Sequence, residues 1–292
     1  MDASTELYTT AFVEGKHVTV IGGGVLGRRL CLMWSCTGRP VCLFDTSVTQ
    51  AQQAKEYVDE NIAAQMQKMN SSSRGELKIS TDLQEAVKDA WMVIEAIPEV
   101  LSLKIEIFGR LNKLSQPDTI LATNSSSIKS SQILENVQHR QRVLNTHYYM
   151  PPNSACVELM SCGETDPRII PFLSQQCESV GFKPCEVKKQ STGLIYNRVW
   201  AAIKRECLDV LAEGVAEPED IDVLFKDWFH AEKGPCQMMD EVGLDTVYNI
   251  EKVYIADRGL SGESNEWLKR EYVDKGKLGN KSGGNGLIGR KV

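Results

Sequence analysis

Short apolar runs alternate with amphipathic stretches over the first half of the chain. The runs are rich in β-branched residues, as buried strands are, and the stretches place apolar residues at helical spacing. Strands are predicted at residues 17–21, 40–44, 77–80, 91–96, 119–123 and 143–147. Helices are predicted between them at residues 25–36, 46–69, 81–87 and 101–114. Strands that alternate with helices in this way predict a parallel sheet with helices on both faces.

The helix predicted at residues 101–114 shows how such a helix should pack. Its apolar residues recur every three or four positions, and they are Leu103, Ile107, Leu111 and Leu114. Residues at this spacing share one side of a helix, so we expect these four on its inner face.

The pattern changes near residue 190, after which helical periodicity alone remains. Helices are predicted at residues 194–214, from Pro218 onward, and at about residues 238–257. Proline at the first helical position, followed by acidic residues, is typical of a helix start. The predicted fold class is α/β, a doubly wound parallel sheet with a second, all-α domain. The predicted domains are residues 1–188 and 189–292, with residues 1–14 as a loose arm.

The first predicted strand leads into a turn that fits the pattern G-x-G-x-x-G. Its defining residues are Gly22, Gly24, Val25, Leu26 and Gly27. The first glycine allows a tight turn, the second lets the backbone approach a pyrophosphate, and the third lets helix and strand pack closely. The helix that follows offers free N–H groups and a positive dipole end. These residues are therefore predicted to bind a dinucleotide in a Rossmann-type domain.

Asp45 ends the second predicted strand, 18 residues after Gly27. A carboxylate there accepts hydrogen bonds from both ribose hydroxyls and repels a 2′-phosphate, so NAD is predicted as the cofactor in preference to NADP. The competing interpretation is a structural glycine turn. The order of strand, glycines, helix, strand and acid favours the dinucleotide site.

Composition excludes several classes of protein. The net charge of −6 argues against a nucleic-acid partner, and no apolar run approaches the length of a membrane span. The start of the chain lacks the basic and apolar regions of a signal peptide. Nine scattered cysteines without a CxxC pair indicate reduced thiols, so a cytoplasmic location is expected, and no Cys/His grouping has metal spacing.

Polar residues fall where predicted strands end. Ser126 follows one strand, His147 ends the next, and Glu158 lies 11 residues further on in the apolar run CVELM. Asn197 lies near the start of the long helix in the second domain. A histidine at this edge of the sheet is suited to take the hydroxyl proton as a C–H bond gives up a hydride, and a nearby glutamate would fix its tautomer. This grouping predicts a dehydrogenase.

Each of these residues also has a structural interpretation. His147 could be a core histidine, Ser126 part of a helix cap, Glu158 a charge on an edge strand, and Asn197 an amide on a helix face. Their expected convergence at one edge of the sheet favours the catalytic interpretation.

The chain resembles the 3-hydroxyacyl-CoA dehydrogenase family over nearly its whole length. The motifs that carry the resemblance are VIGGGVLG at 20–27, VIEAIPE at 93–99 with Lys104, ATNSSS at 122–127, His147 with Glu158, TGLIYNR at 192–198, EVGLD at 241–245 and the tail GKLGNKSGGNG at 276–286. The resemblance implies that His147 is the catalytic base, Glu158 its partner, Ser126 a contact of the substrate oxygen and the nicotinamide, and Asn197 a substrate contact from the second domain. It also implies that Glu99, Lys104 and Lys281 line the cofactor site, that a homodimer forms, and that the reaction belongs to fatty acid metabolism.

The sequence departs from the family pattern in three ways. Met150 stands where the family has asparagine in H-F-F-N-P, and the His147–Glu158 spacing is one residue shorter than usual. The segment 50–74, which corresponds to the family's CoA-binding excursion, carries few cations. The chain also resembles gulonate and carnitine dehydrogenases, which act on free hydroxy acids.

The predicted activity is NAD-dependent interconversion of a 3-hydroxyacyl compound, expected as its CoA thioester, and a 3-oxoacyl compound in the cleft between the domains. One alternative keeps the chemistry but replaces the substrate with a free 3-hydroxy acid or an acyl intermediate of specialised metabolism. The other is a repurposed NAD-binding scaffold with little turnover.

Overall fold

The computed structural model describes residues 8–289, which form two compact units divided between Leu194 and Ile195. The division lies within the motif TGLIYNR, a few residues beyond the predicted domain boundary.

The first unit is built on one eight-stranded sheet. Its strands are β1 (His17–Ile21), β2 (Val41–Phe44), β3 (Leu77–Ser80), β4 (Ala90–Glu95), β5 (Ile120–Thr123), β6 (Val143–Tyr148), β7 (Cys156–Ser161) and β8 (Lys183–Val187). Their order across the sheet is β3-β2-β1-β4-β5-β6-β7-β8. Neighbouring strands are parallel except β6 and β7, which are antiparallel. The strand order reverses between β1 and β4, which opens the crevice where such sheets bind ligands.

Helices accompany the strands of this unit. They are α1 (Thr10–Val13), α2 (Val25–Ser35), α3 (Val48–Lys68), α4 (Leu83–Val87), α5 (Leu101–Leu114) and α6 (Ile169–Ser179). Side chains cap the N-termini of two of these helices. Ser47 accepts a hydrogen bond from the N–H of Gln50 in α3, and Asp82 accepts hydrogen bonds from two N–H groups of α4. The predicted α/β class and the predicted order of strands and helices up to β6 are confirmed.

Apolar side chains pack on both faces of the sheet. Along β4, Met92 and Ile94 belong to one buried cluster with Trp34, whereas Val93 belongs to a second cluster with Phe108. Successive side chains of a strand point to opposite faces of the sheet. A strand that is apolar at every position must therefore be covered by other elements on both faces. The predicted doubly wound sheet therefore follows from the continuous apolar runs.

The inner face of α5 differs from the prediction. Leu103 is 43% exposed, whereas Lys104, the next residue, is fully buried beside Phe108. Ile107 and Leu111 face the core as predicted. The apolar spacing was misleading because Lys104 has an acidic partner inside the unit, and a paired charge can occupy a core position.

The second unit is all-helical, as predicted. Its helices are α7 (Tyr196–Ala212), α8 (Pro218–Phe229), α9 (Pro235–Val242), α10 (Leu244–Arg258) and α11 (Glu263–Glu271). The helix predicted at about residues 238–257 is two helices, since Gly243 between them has φ of +100°. That conformation lies outside the helical region and is tolerated by glycine. Leu208, Met239 and Leu268 lie in the core that joins these helices.

The glycine-rich tail is hydrogen-bonded to α9. Asp240 accepts hydrogen bonds from the N–H groups of Leu287 and Ile288, at 2.9 and 3.0 Å. A Cβ atom at Gly279 or Gly286 would lie within 2.4 Å of an atom of Asp240, so glycine is required at both positions. The tail is thus an ordered part of the second unit up to residue 289.

The loose arm predicted for residues 1–14 is wrong for its described part, and residues 1–7 lie outside the described range. Residues 10–13 form α1, and the ring of Phe12 packs edge-on against Phe172, with centroids 5.7 Å apart. Within residues 8–289, no helix combines the length and apolar character needed to cross a membrane.

Candidate active site

The glycine turn after β1 adopts the conformation that its sequence predicts. Gly22 has φ of +103°, and a Cβ atom there would lie 2.9 Å from the carbonyl oxygen of Ala96. A Cβ atom on Gly27 would lie 1.8 Å from the carbonyl oxygen of Gly22, so helix and strand are too close for any side chain. A Cβ atom on Gly24 would meet nothing within 4 Å. The first and third glycines are required by the fold, and the second faces open space.

The N-terminus of α2 adjoins that open space. Gly24 is the N-cap, no side chain caps the helix, and Val25 and Leu26 form its first turn. The first backbone bond of the helix runs from Arg28 N to Gly24 O, so the preceding N–H groups lack partners within the helix. Free N–H groups beside a glycine without steric neighbours fit a pyrophosphate.

Asp45 lies at the end of β2, beside the glycine turn. Its Oδ2 accepts the N–H of Gly23 at 2.7 Å, and its Oδ1 accepts the N–H of Ser47 at 2.8 Å. These two bonds fix the carboxylate at the edge of a cavity of about 480 Å³ that Gly22 and Gly24 also line. Ribose hydroxyls could donate to the remaining lone pairs of this carboxylate. The glycine turn, the free helix end and the fixed acid together fit NAD.

Glu99 lies in the loop between β4 and α5, where serines from the loop after β5 bind it. The Ser125 hydroxyl donates to its Oε1, as do the N–H and hydroxyl of Ser127, at 3.1 and 2.9 Å. Burial opposes ionisation of Glu99, but the serine hydrogen bonds and the nearby Lys104 charge outweigh it and lower the pKa of the carboxyl. Glu99 is therefore a carboxylate at neutral pH, held in a fixed orientation.

Lys104 forms a fully buried ion pair with Glu95, the last residue of β4. Its Nζ donates to both carboxylate oxygens, at 2.7 and 2.8 Å, and lies 3.4 Å from Glu99. Glu95 also accepts from Thr123 at 2.6 Å and from the N–H of Ile97 at 2.8 Å. Burial raises the pKa of Glu95, and the Lys104 charge opposes that rise. In all four of these hydrogen bonds the Glu95 carboxyl is the acceptor. An ionised carboxylate can only accept, so this arrangement suits the charged form.

The same ammonium reaches a third group. Lys104 Nζ donates to the carbonyl oxygen of Asn124 at 3.3 Å. It therefore ties the loop after β4 to the loop that carries the serines. Lys104 and Glu99, both predicted to line the cofactor site, thus lie together, and their contacts with the cofactor stay predictions.

His147 and Glu158 stand directly opposite each other in the antiparallel pair of β6 and β7. His147 Nδ1 lies 3.4 Å from Glu158 Oε2, and the two residues are 7% and 3% exposed. β7 lies between β6 and β8, so Glu158 is a buried residue of an interior strand and not a surface charge on an edge. The structure thus brings together the two residues predicted to transfer the proton.

Tyr149 also contacts this pair, and the sequence analysis did not identify it. Its hydroxyl donates to Glu158 Oε2, the oxygen that faces His147. Its ring packs edge-on against the His147 ring, with centroids 4.4 Å apart. Tyr149 directly follows β6, two residues after His147, so alternation continued past the end of the strand was the available signal.

Ser126 and Met150 lie in the loops that follow the neighbouring strands β5 and β6. Ser126 is half-buried, and among residues 8–289 no hydrogen-bond partner is found for its hydroxyl, in contrast to those of Ser125 and Ser127. Met150 follows β6 with φ of +54° and is 44% exposed. The next residue, Pro151, accepts a hydrogen bond at 2.9 Å from Arg29 of α2, which links the nucleotide-binding helix to the turn after β6.

Two predicted site residues belong to the second unit. Asn197 lies in the first turn of α7 and is half-buried. Lys281 donates to both oxygens of Asp245, at 2.8 and 3.1 Å, and to the hydroxyl of Thr246 at 2.6 Å. The Lys281 hydrogen bond lowers the pKa of Asp245. Two of the sequence motifs, EVGLD and the glycine-rich tail, are therefore joined by this ion pair, and the predicted contacts of Asn197 and Lys281 with ligands stay predictions.

Comparison with known sequences assigns the family. The sequence model of the 3-hydroxyacyl-CoA dehydrogenase NAD binding domain matches residues 17–190, and that of the 3-hydroxyacyl-CoA dehydrogenase C-terminal domain matches residues 193–287. The chain belongs to the 3-hydroxyacyl-CoA dehydrogenase family. The predicted NAD cofactor and the predicted class, an oxidoreductase that interconverts 3-hydroxyacyl and 3-oxoacyl compounds, are confirmed with it.

Individual relatives agree with this assignment. The chain is 31% identical to a probable 3-hydroxybutyryl-CoA dehydrogenase of Bacillus subtilis over 93% of its own length and 96% of the relative's. It is similar to the crystal structure of (S)-3-hydroxybutyryl-CoA dehydrogenase from Ralstonia eutropha, with a TM-score of 0.83 and 26% identity over 93% of this chain and 98% of that chain. A 3-hydroxyacyl-CoA dehydrogenase-like protein of Cochliobolus heterostrophus is 46% identical over 51% of this chain. That match spans 32% of the fungal protein, which is therefore considerably longer than the shared part.

Within the described residues, no group of three or more His, Cys, Asp or Glu side chains is placed to hold a metal ion.

Proposed function

We propose that His147 and Glu158 are the proton-transfer pair of an NAD-dependent dehydrogenase that interconverts a 3-hydroxyacyl and a 3-oxoacyl compound. The observation that carries the proposal is their register across β6 and β7, which brings Nδ1 of a buried histidine to a buried carboxylate. The pair lies in the same sheet as the glycine turn and Asp45. Membership of the 3-hydroxyacyl-CoA dehydrogenase family supports the reaction class.

The chemistry follows from the two ring nitrogens of His147. Glu158 favours the tautomer with the proton on Nδ1, which leaves a lone pair on Nε2. In the oxidation direction, Nε2 takes the proton of the 3-hydroxyl as the C–H bond at C3 breaks. NAD, which the glycine turn and Asp45 would hold, would supply the acceptor for the hydride released from C3. Glu158 then stabilises the imidazolium, and His147 returns the proton in the reverse reaction.

Other residues orient the reactants in this proposal. The hydroxyl of Ser126 donates to the substrate oxygen, which its lack of a partner among the described residues supports. Asp45 binds the ribose, and Glu99, held by its two serines, lies on the cofactor side. The roles of Asn197 as a substrate contact and Lys281 as a cofactor contact rest on the family resemblance alone.

The acyl carrier is proposed to be CoA, because the names of the relatives specify CoA thioesters. Such a substrate would place the reaction in fatty acid metabolism. One observation favours a second candidate, a free 3-hydroxy acid. Of the cations near the segment that corresponds to the family's CoA site, Lys55 and Arg74 both pair with Asp59, and Lys78 pairs with Glu85. Cations already paired with acids are less available to the phosphates of CoA.

The test is NADH oxidation with one acyl group on three carriers: acetoacetyl-CoA, acetoacetyl-pantetheine and acetoacetate. Turnover confined to the CoA thioester supports the first candidate. Comparable turnover with pantetheine or the free acid supports the second. Measurable NADH binding without turnover on any of the three would contradict the proposed activity and favour a repurposed NAD-binding scaffold.

A homodimer is also proposed. Leu224 and Trp228, one helical turn apart on α8, and Phe229 next to Trp228 are each more than half exposed. Large apolar side chains exposed on one helix favour burial against another protein, and a second copy is the partner that the family resemblance implies. Light scattering should give twice the monomer mass, and Trp228→Glu with Leu224→Glu should give the monomer mass.

The proposed location is the cytoplasm. Nine scattered cysteines without a paired spacing support a reducing compartment. Fluorescence microscopy of the tagged full-length protein would test this.

A further inference from the structure

We propose that Tyr149 is a positioning residue that competes with His147 for Glu158 and thereby sets the pH range in which the proton-transfer pair works. This inference rests on the proposed function, because it concerns the pair assigned above. It adds a third residue, which acts on the base through the carboxylate.

The backbone brings Tyr149 into reach of Glu158. His147 is paired directly with Glu158, and the N–H of Tyr149 donates to the carbonyl oxygen of Cys156 at 3.4 Å. Tyr149 therefore stands diagonally from Glu158, on the same face of the two strands as His147. Diagonal neighbours in a sheet are about 7–8 Å apart at the backbone, a distance that a tyrosine side chain can span.

Both side chains approach the same carboxylate oxygen. The Tyr149 hydroxyl donates a hydrogen bond to Glu158 Oε2. His147 Nδ1 lies 3.4 Å from that oxygen, beyond the roughly 2.7–2.9 Å of a charge-assisted bond. The phenol is thus hydrogen-bonded to the oxygen that faces His147, and the imidazole makes only a long contact with it.

The consequence concerns the charge of Glu158. A carboxylate oxygen that already accepts a hydrogen bond offers less stabilisation to a second, positively charged donor. The imidazolium is then less favoured than it would be beside an uncontested carboxylate. His147 consequently remains a free base at lower pH than it would if residue 149 were phenylalanine.

Other ionisable side chains of this unit lie on neighbouring strands and loops. Cys185 on β8 stands opposite Glu158 in the parallel register of β7 and β8. Glu99 is held by Ser125 and Ser127, and Lys104 is held by Glu95. None of these contacts involves the Tyr149 hydroxyl.

The first measurement follows the ring protons of His147 by NMR as a function of pH in the full-length protein, which requires no turnover. Tyr149→Phe should raise the midpoint of this titration by about 0.5–1 pH unit. The matched control is Tyr148→Phe, which removes a hydroxyl on the opposite face of β6 and should leave the midpoint unchanged. An unchanged or lowered midpoint in Tyr149→Phe would overturn the proposal.

A double variant tests the route through the carboxylate. In a Glu158→Gln background, Tyr149→Phe should shift the midpoint by less than about 0.2 unit, because the charge for which the two residues compete is absent. A shift as large as in the parent protein would overturn the proposal, since Tyr149 would then act on His147 directly.

The second measurement is the pH dependence of kcat/KM. Tyr149→Phe should move the acidic limb of the profile to higher pH by the same amount, with the plateau changed by less than about 3-fold. A fall in the plateau without movement of the limb would indicate a merely structural role and overturn the proposal. If the parent protein has no turnover but the NMR shift is observed, the proposed activity fails while the competition stands.

Discussion

Glu158 lies opposite His147 across the one antiparallel pair of the described sheet, with 3.4 Å between Oε2 and Nδ1. Strands β1 to β6 are parallel and meet at one carboxyl edge, where His147 is the penultimate residue of β6. Because β7 runs antiparallel to β6, the Glu158 carboxylate lies next to the His147 ring at that edge.

Replacement of His147 by Gln should lower kcat by about 10²–10⁴-fold, because the amide cannot accept the hydroxyl proton. NADH affinity should be unchanged, since the glycine turn and Asp45 belong to other strands. Steady-state kinetics with fluorescence titration of NADH would measure both. His139→Gln, a histidine outside the site, is the control, and full turnover in His147→Gln would refute the assignment.

Replacement of Asp45 by Ser should reduce the preference for NAD over NADP. The carboxylate is fixed by Gly23 and Ser47, and its charge would repel a 2′-phosphate. The ratio of kcat/KM values for the two cofactors is the measurement, with Asp227→Ser in the second unit as the control. A native protein that already prefers NADP would disprove the role given to Asp45.

Replacement of Lys104 by Met should destabilise the chain by about 3–5 kcal/mol, because Glu95 would be left buried without its cation. The double variant with Glu95→Gln should recover part of the loss. Urea denaturation would measure the change, with Lys113→Met on the exposed side of α5 as the control. Equal stability of the single variant and the parent would show that the pair contributes nothing.

Replacement of Met150 by Asn should stabilise the folded chain by about 1 kcal/mol. Met150 has φ of +54°, a region that costs most residues about 1–2 kcal/mol and that asparagine tolerates better. Thermal unfolding would detect the change. Met150→Leu, which keeps the backbone penalty, should leave the stability near that of the parent, and a stabilisation by Leu as large as that by Asn would contradict the backbone explanation.

The cysteines should differ widely in reactivity. Cys156 and Cys185 are exposed, whereas burial raises the pKa of Cys42 to about 11 and of Cys177 to about 12. The thiolate is the reactive form, so iodoacetamide at pH 8 should modify the exposed pair at least about 100-fold faster than Cys42 or Cys177. Peptide mass spectrometry would follow each site, and equal rates would contradict the burial of the slow group.

The buried thiols of Cys42 and Cys177 make the free energy of unfolding depend on pH. In the unfolded chain they ionise near the ordinary thiol pKa of 9.0, and in the folded chain they ionise about two or more units higher. The free energy of unfolding should therefore be unaffected by them below about pH 8 and should fall as the pH rises above about 9. Urea denaturation at pH 8 and pH 10 would measure the difference.

Much of the nucleotide-binding half could be predicted because its signals are local. Continuous apolar runs predict the buried strands, and the glycine spacing together with Asp45 predicts the turn. The sequence analysis missed β8, because its residues are largely exposed and include Pro184, so neither alternation nor an apolar run marks it. It also missed α6, which has a proline in its first turn, and α11, which is mostly polar.

The site was predicted less completely than the fold. His147 and Glu158 were found, but the pairing of Lys104 with Glu95 and the hydroxyl of Tyr149 on Glu158 were not. Each of these contacts is made by a side chain whose partner lies on another strand or loop. Periodicity identifies which face a residue occupies, but it does not identify the atom that the residue reaches.

The antiparallel turn between β6 and β7 has a consequence for how the site is assembled. His147 and Glu158 are 11 residues apart, so a short hairpin can bring them together at small entropic cost, whereas the glycine turn and β4 are joined across about 70 residues. A one-residue slip of the hairpin would turn Glu158 to the other face of the sheet. Length changes between Met150 and Ala155 should therefore be tolerated where they leave the strand register intact. In this way a His-to-Glu spacing one residue shorter than that of the family can preserve the same pair.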